Sequence, residues 1–212
     1  MTTKEKLLAL LEDSKGTFFS GEEIARTLQV SRAAVWKAVN ALREDGYTID
    51  AATNKGYRLS PDSDILSPQG IRRFLKPEYR DLNLTVLPTA PSTNALVREK
   101  ANQGRPEGCV IVACEQTDGR GRYGRQFFSP VDSGVYLSLL LRPTAYSPQQ
   151  ATCLTAAAAA AMCQAIEAVT GQQPGIKWVN DIFLRGKKVC GILTEAAVGL
   201  ETGTLNYMVL GA

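Results

Sequence analysis

Residues 20–59 read SGEEIARTLQVSRAAVWKAVNALREDGYTIDAATNKGYRL. Ser20 stands three residues before Glu23, the spacing of a capping box, in which hydroxyl and carboxylate each satisfy an orphan backbone N–H. The helix it opens turns Ile24, Ala25 and Leu28 inward. Ser31 caps another helix, on which Val35, Val39 and Leu42 recur at helical spacing until Gly46 supplies a stop. Tyr47–Asp50 and Gly56–Leu59 then read as two short strands around a turn holding Asn54, Lys55 and Gly56. Upstream, Thr2 and Glu5 form a further capping box ahead of Leu7, Leu8 and Leu11.

Helix, short helix, turn, helix and hairpin in that order is the winged helix-turn-helix pattern. Its third helix presents Arg32, Ala33, Trp36, Lys37 and Asn40 away from the predicted core. Arg and Lys suit guanine edges or phosphates, and Asn suits adenine. On the hairpin, Lys55 and Arg58 suit phosphate contact. Trp36 is expected to pack against the wing in preference to touching a base. The competing reading is a three-helix packing module with a solvated basic face. Bulk charge does not decide between them. Residues 1–62 hold nine Lys/Arg and nine Asp/Glu, and the net charge of the whole chain is only +3.

Outward from this unit, Ser60–Asp64 is polar and contains proline, as linkers do. The reading is a DNA-binding domain at 1–60, a linker at 61–66 and a second domain at 67–212. Ser67-Pro68 opens a helix through Leu75. Beyond Asn83, strands and helices alternate. Strands are expected at 84–87, 109–115, 135–141, 176–178, 182–184, 189–194 and 205–210, and helices at 93–103 and 151–170. The last helix is alanine-rich and apolar nearly all round, so it is expected to pack on a sheet. The fold class is α+β with a mixed sheet.

The 212 residues include five cysteines and no histidine. An odd cysteine count without a CxxC pair reads as reduced thiols, and the missing histidine excludes His-based triads and metal sites. No apolar run is expected to span a bilayer and no signal peptide is read, which points to the cytoplasm.

Three clusters carry chemistry. Gly119-Arg120-Gly121-Arg122-Tyr123-Gly124-Arg125 combines a mobile backbone with bidentate donors for phosphate or carboxylate. It is neither a P-loop nor a GxGxxG fingerprint, and its bland alternative is a nonspecific basic loop. Lys177-Trp178-Val179-Asn180-Asp181 places a carboxylate where it could hold Mg²⁺ or merely cap a turn. Lys187 to Glu195 (KKVCGILTE) follows a turn at Arg185-Gly186 and starts a strand with a lysine that points into a pocket or into solvent.

Together with Ser92-Thr93-Asn94 and Gln116, these pieces closely resemble the biotin protein ligase family. With the helix-turn-helix ahead of them they look like its bifunctional class, ligase plus biotin-operon repressor. The resemblance covers essentially all of the chain. It implies a class II synthetase-like catalytic domain. Ser92, Thr93 and Asn94 would serve the ureido ring, with Gln116 also on biotin. Arg120, Gly121 and Arg122 would close over biotin and biotinyl-5′-AMP. Lys188 would meet the carboxylate and the activated phosphate, Gly191 and Leu193 would form pocket wall, and Asp181 would help hold Mg²⁺. Arg120, Arg122 and Lys188 would offset the repulsion as a carboxylate attacks the α-phosphate of ATP. The implied partners are a biotin carboxyl carrier protein, operator DNA and a second copy of the chain when ligand is bound. Tyr123 stands where the family usually has arginine, and Val179 where it usually has proline. The chain also stops before the family's adenine-binding segment and C-terminal barrel. Two alternatives stay open: a non-catalytic sensor of biotin or biotinyl-AMP that regulates transcription, and a lipoate or octanoate transferase.

Overall fold

The computed structural model describes residues 1–131, 133–143, 146–147, 150–199 and 204–212. It divides into two compact units, Met1–Asp81 and Leu82–Ala212.

In the first unit, α1 (Thr3–Asp13), α2 (Gly21–Leu28) and α3 (Arg32–Glu44) start where the sequence predicts. Both capping boxes are formed, and Ser31 Oγ accepts from Ala34 N. The helices bury Leu7, Leu11, Ile24, Val35, Val39 and Leu42 against one another. β1 (Ile49–Ala52) and β2 (Gly56–Leu59) make the antiparallel wing, and Ile49 and Leu59 complete the core. The chain after the wing does not leave this unit at residue 66. Helix α4 (Pro68–Arg72) packs back on α1, with Ser67 Oγ donating to the buried Glu12 carboxylate at 3.3 Å. The Lys15 ammonium also donates to the Ser63 carbonyl. The boundary therefore falls some fifteen residues later than the expected linker, because Ile65 joins the helical core and polar links tie down the residues around it.

The second unit is built on a five-stranded sheet in the order β3-β4-β5-β10-β9. These strands are β3 (Asn83–Leu87), β4 (Cys109–Ala113), β5 (Tyr136–Leu141), β9 (Leu193–Val198) and β10 (Leu205–Gly211). β3 and β4 are parallel, joined through α5 (Thr93–Asn102), and the other pairs are antiparallel. This is the mixed sheet expected. Val97 and Ala101 of α5 close a core with Cys109, Ile111, Leu140 and Val209. A separate three-stranded sheet comprises β6 (Gly175–Lys177), β7 (Asp181–Leu184) and β8 (Lys187–Gly191). All five cysteines are free thiols, as expected.

Two expectations about this unit need correction. The single strand expected at 189–194 is two strands in different sheets, β8 and β9. The break is at Ile192, whose N–H donates to Asn180 O at 2.7 Å while Asn180 Nδ2 donates back to Ile192 O. That double tie turns the chain out of one sheet and into the next. The second concerns α6 (Ala151–Thr170), which packs on β6, β7 and β9 as expected but, among the described residues, buries Ala159 while Ala157, Ala160, Ala161 and Ala165 are exposed. Thr152–Thr170 is moreover long and apolar enough to cross a membrane by length and composition, with a mean hydropathy of 1.4, contrary to the expectation that no run reaches that length. Short alanine side chains make the helix apolar without giving it much surface to bury.

Candidate functional site

The candidate site residues come from separate stretches of chain. Ser92, Thr93 and Asn94 form the first turn of α5, where Ser92 is the N-cap and its Oγ accepts from Ala95 N. Gln116 follows β4, and its Oε1 accepts from Thr93 N at 2.8 Å. Gln116 Nε2 donates to Ser129 Oγ, so the amide is pinned at both ends. Residues 119–125 fold as a hydrogen-bonded turn and not as a free loop. Gly121 N donates to Arg125 O, and Phe127 N donates to Gly119 O. From that turn Arg122 Nη1 reaches across to Asn180 Oδ1 at 3.0 Å. Lys188 and Gly191 lie on β8, Leu193 begins β9, and Gly211 ends β10.

All of these residues line one cleft of about 490 Å³ in the second unit: Ser92, Thr93, Asn94, Gln116, Arg120, Gly121, Arg122, Lys188, Gly191 and Leu193, together with Phe127, Asn180, Ile192, Gly211 and Ala212. The wall at Gly191 leaves room for a lysine. A Cβ there would lie 3.0 Å from Lys188 Nζ. Lys188 Nζ is 2.8 Å from Asp181 Oδ1 and 5.8 Å from the centre of the Phe127 ring, so a carboxylate and an aromatic face aim it. Arg120 is paired with Asp118 at 2.8 Å, and the hydrogen bond to that carboxylate raises its pKa above the ordinary guanidinium value. The cleft thus gathers three cations beside hydroxyl and amide groups. It can receive a ligand with a polar head and one or more anionic groups.

Phe127 and the pair Gly211-Ala212 are cleft residues that sequence reasoning missed. Phe127 sits two residues past the Arg/Gly run, and an aromatic at that offset is the one local signal that could have found it. Gly211 had none, since its place depends on β10 lying between β5 and β9.

The profile of the Biotin/lipoate A/B protein ligase family matches residues 86–212, and that of an HTH domain matches residues 3–58. The chain belongs to the biotin/lipoate A/B protein ligase family. It is 43% identical over 194 residues to the bifunctional ligase/repressor BirA of Bacillus spizizenii, covering 92% of this chain and 59% of the relative. It is 33% identical over 211 residues to the bifunctional ligase/repressor BirA of Escherichia coli, covering 100% of this chain and 63% of that one. A solved biotin protein ligase from Aquifex aeolicus, in complex with biotin and ATP, shares 30% identity over 61% of this chain and 51% of its own, with a TM-score of 0.47. The chain spans about three fifths of the length of the curated relatives it matches.

In the helix-turn-helix unit, Arg32, Ala33, Trp36 and Lys37 are exposed on α3 and Asn40 is half-buried. Trp36 does not fold onto the wing. It is 58% exposed and, with Arg32, Ala33, Thr53 and Asn54, lines a groove between α3 and the hairpin. Lys55 is exposed at the hairpin tip. Arg58 is engaged inside the unit: its Nε donates to Asp50 at 2.8 Å and its guanidinium lies 4.7 Å from the Phe18 ring centre. As folded, Arg58 braces the wing.

Proposed function

We propose that the cleft takes biotin and ATP, joins them as biotinyl-5′-AMP and passes the biotinyl group to a lysine of a biotin carboxyl carrier protein, in the cytoplasm. The N-terminal unit binds operator DNA and represses biotin genes, as a homodimer when ligand is bound. One observation carries the reading: ten residues assigned to biotin from scattered motifs line one cleft.

The chemistry follows from the groups gathered there. A carboxylate attacking an α-phosphate brings two anions together. Lys188, Arg120 and Arg122 converge on the cleft and offset that repulsion and the charge that develops in flight. The turn at 119–125 covers the ligand and keeps water from the mixed anhydride. The attacking nucleophiles are the biotin carboxylate and then the acceptor lysine, which suits a chain without histidine.

Asp181 offers a carboxylate oxygen to magnesium. Both contacts of Asp181, from Lys188 Nζ and Asn180 Nδ2, fall on Oδ1, which leaves Oδ2 for a cation. Among the described residues no group of three or more His, Cys, Asp or Glu could hold a metal. Asp181 would hold the ion with nucleotide phosphates and waters, and the ion would supply further charge neutralisation at the phosphates.

Isothermal titration with biotin, and with ATP and biotin together, tests the reading alongside mass spectrometry for biotinyl-5′-AMP. Biotin uptake, adenylate formation and pyrophosphate release are expected. Biotin binding without adenylate would reduce the protein to a sensor.

A further inference from the structure

Trp36 was expected to pack against the wing, and it stands open instead. It is 58% exposed, and among the described residues no hydrogen bond, ion pair or ring contact engages it. Helical spacing sets Ala33 one turn before it on the same side of α3. Across the groove stand Ala51, Ala52, Thr53 and Asn54 of the hairpin. The groove is thus walled by an indole ring, three alanines and two short polar residues. Arg32 is the one charge among its described lining residues, and no carboxylate lines it. Lys37 and Lys55, next in sequence to lining residues, are exposed. An apolar floor beneath a cationic rim calls for a partner that is anionic outside and carries small apolar groups within. Duplex DNA is such a partner. Phosphates line its edges, and the thymine C5-methyl is the apolar group that its major groove presents.

We propose that Trp36, with Ala33 beside it, is a specificity-determining residue that reads a thymine C5-methyl in each operator half-site. The inference rests on the proposed reading of the first unit as an operator-binding module, and it names the base feature that module recognises. The charges of Arg32 and Lys37 suit guanine edges or phosphates and gain nothing from a methyl group. The indole does gain, because covering a methyl removes apolar surface of both partners from water. Trp36 lies outside the buried cluster of Leu7, Leu11, Ile24, Val35, Val39 and Leu42, so replacing it leaves the caps and core of the unit intact.

The test starts from duplexes enriched out of a randomised pool by the intact protein with biotinyl-5′-AMP. Each thymidine in them is then replaced singly by deoxyuridine, which removes the methyl and keeps every hydrogen-bonding group. Fluorescence anisotropy gives the affinities of wild type and of Trp36→Ala. In wild type, removing the methyl of one thymine in the half-site is expected to weaken binding about fourfold, the scale of one buried hydrocarbon carbon. In Trp36→Ala the thymine and uracil duplexes bind equally at that position. Packing of the indole on the sugar–phosphate backbone would instead weaken all duplexes alike and leave the methyl effect in place, which overturns the proposal. So does a wild type indifferent to every methyl. If Trp36→Ala alters the sedimentation of the DNA-free protein and not the methyl effect, the groove holds a second copy of the chain, and the proposal fails. A pool from which nothing is enriched overturns it together with the operator-binding reading.

Discussion

Two adjacent lysines, Lys187 and Lys188, are indistinguishable by charge and nearly so by exposure, yet only Lys188 lines the cleft. Strand alternation sends neighbouring side chains to opposite faces. Lys188→Ala is expected to cut retention of biotinyl-5′-AMP by tenfold or more, about 1.4 kcal/mol, while Lys187→Ala leaves it within twofold. Equal losses in a stopped-flow release assay would remove Lys188 from the site. Asp181 is tied to the same lysine. Asparagine at 181 keeps an oxygen for Lys188 but loses the negative charge a metal needs. Asp181→Asn is therefore expected to lower the rate of adenylate formation at least tenfold, about 1.4 kcal/mol of barrier, with biotin affinity little changed. A loss of biotin affinity in the folded variant, by calorimetry, would make the ion pair itself part of ligand binding.

At the scale of elements, the caps and the apolar spacing of α1, α2 and α3 agree with the tertiary core, so each helix starts where its sequence starts it. The reading helix can then be tested apart from the cleft. Arg32 and Lys37 are exposed on α3 and belong to a different compact unit from the biotin candidates. Arg32→Ala or Lys37→Ala is expected to cost about 1–3 kcal/mol of operator affinity for each base that goes unread. Biotin affinity should not move. Arg58→Ala should act differently, by loosening a wing that Asp50 and Phe18 brace. Fluorescence anisotropy with operator and scrambled duplexes separates the cases. An Arg32→Ala variant that binds both duplexes as wild type does would leave α3 without a reading role. Within the second unit, Arg142 is a comparable brace. It donates to Ala101 O, Arg105 O and Asn206 O, tying the end of β5 to the end of α5 and the start of β10.

For the whole molecule, the proposed repressor role requires that the ligand site and the DNA site be thermodynamically linked. One winged helix with a neutral charge balance makes few contacts, and a two-fold dimer doubles them on a symmetric site. Biotinyl-5′-AMP is expected to raise both dimerisation and operator affinity, and DNA should tighten ligand binding by the same factor. Sedimentation velocity and mobility-shift titrations with and without ligand check this. If ligand moves neither, the N-terminal unit is a constitutive DNA-binding or packing module.

Much of this protein was legible in its sequence because the signals involved are short-ranged. A capping box needs residues three apart, an amphipathic helix needs three- and four-residue spacing, and the glycine–arginine run states its chemistry within seven positions. The sequence alone thus determined the helix-turn-helix unit and the mixed sheet, while most residues of the cleft were implied by the resemblance to the biotin protein ligase family. Tertiary structure decided what depends on strand order and long-range pairing. It split 187–198 between two sheets at Ile192, kept residues 67–81 with the first unit, and left Ala157, Ala160, Ala161 and Ala165 of α6 exposed. It also placed Gly211 against Asn94 and linked Ser138 on β5 to Glu195 on β9. A hydrogen bond between residues 44 or 101 positions apart leaves no trace in local pattern. Only the folded chain brings those groups within reach of one another.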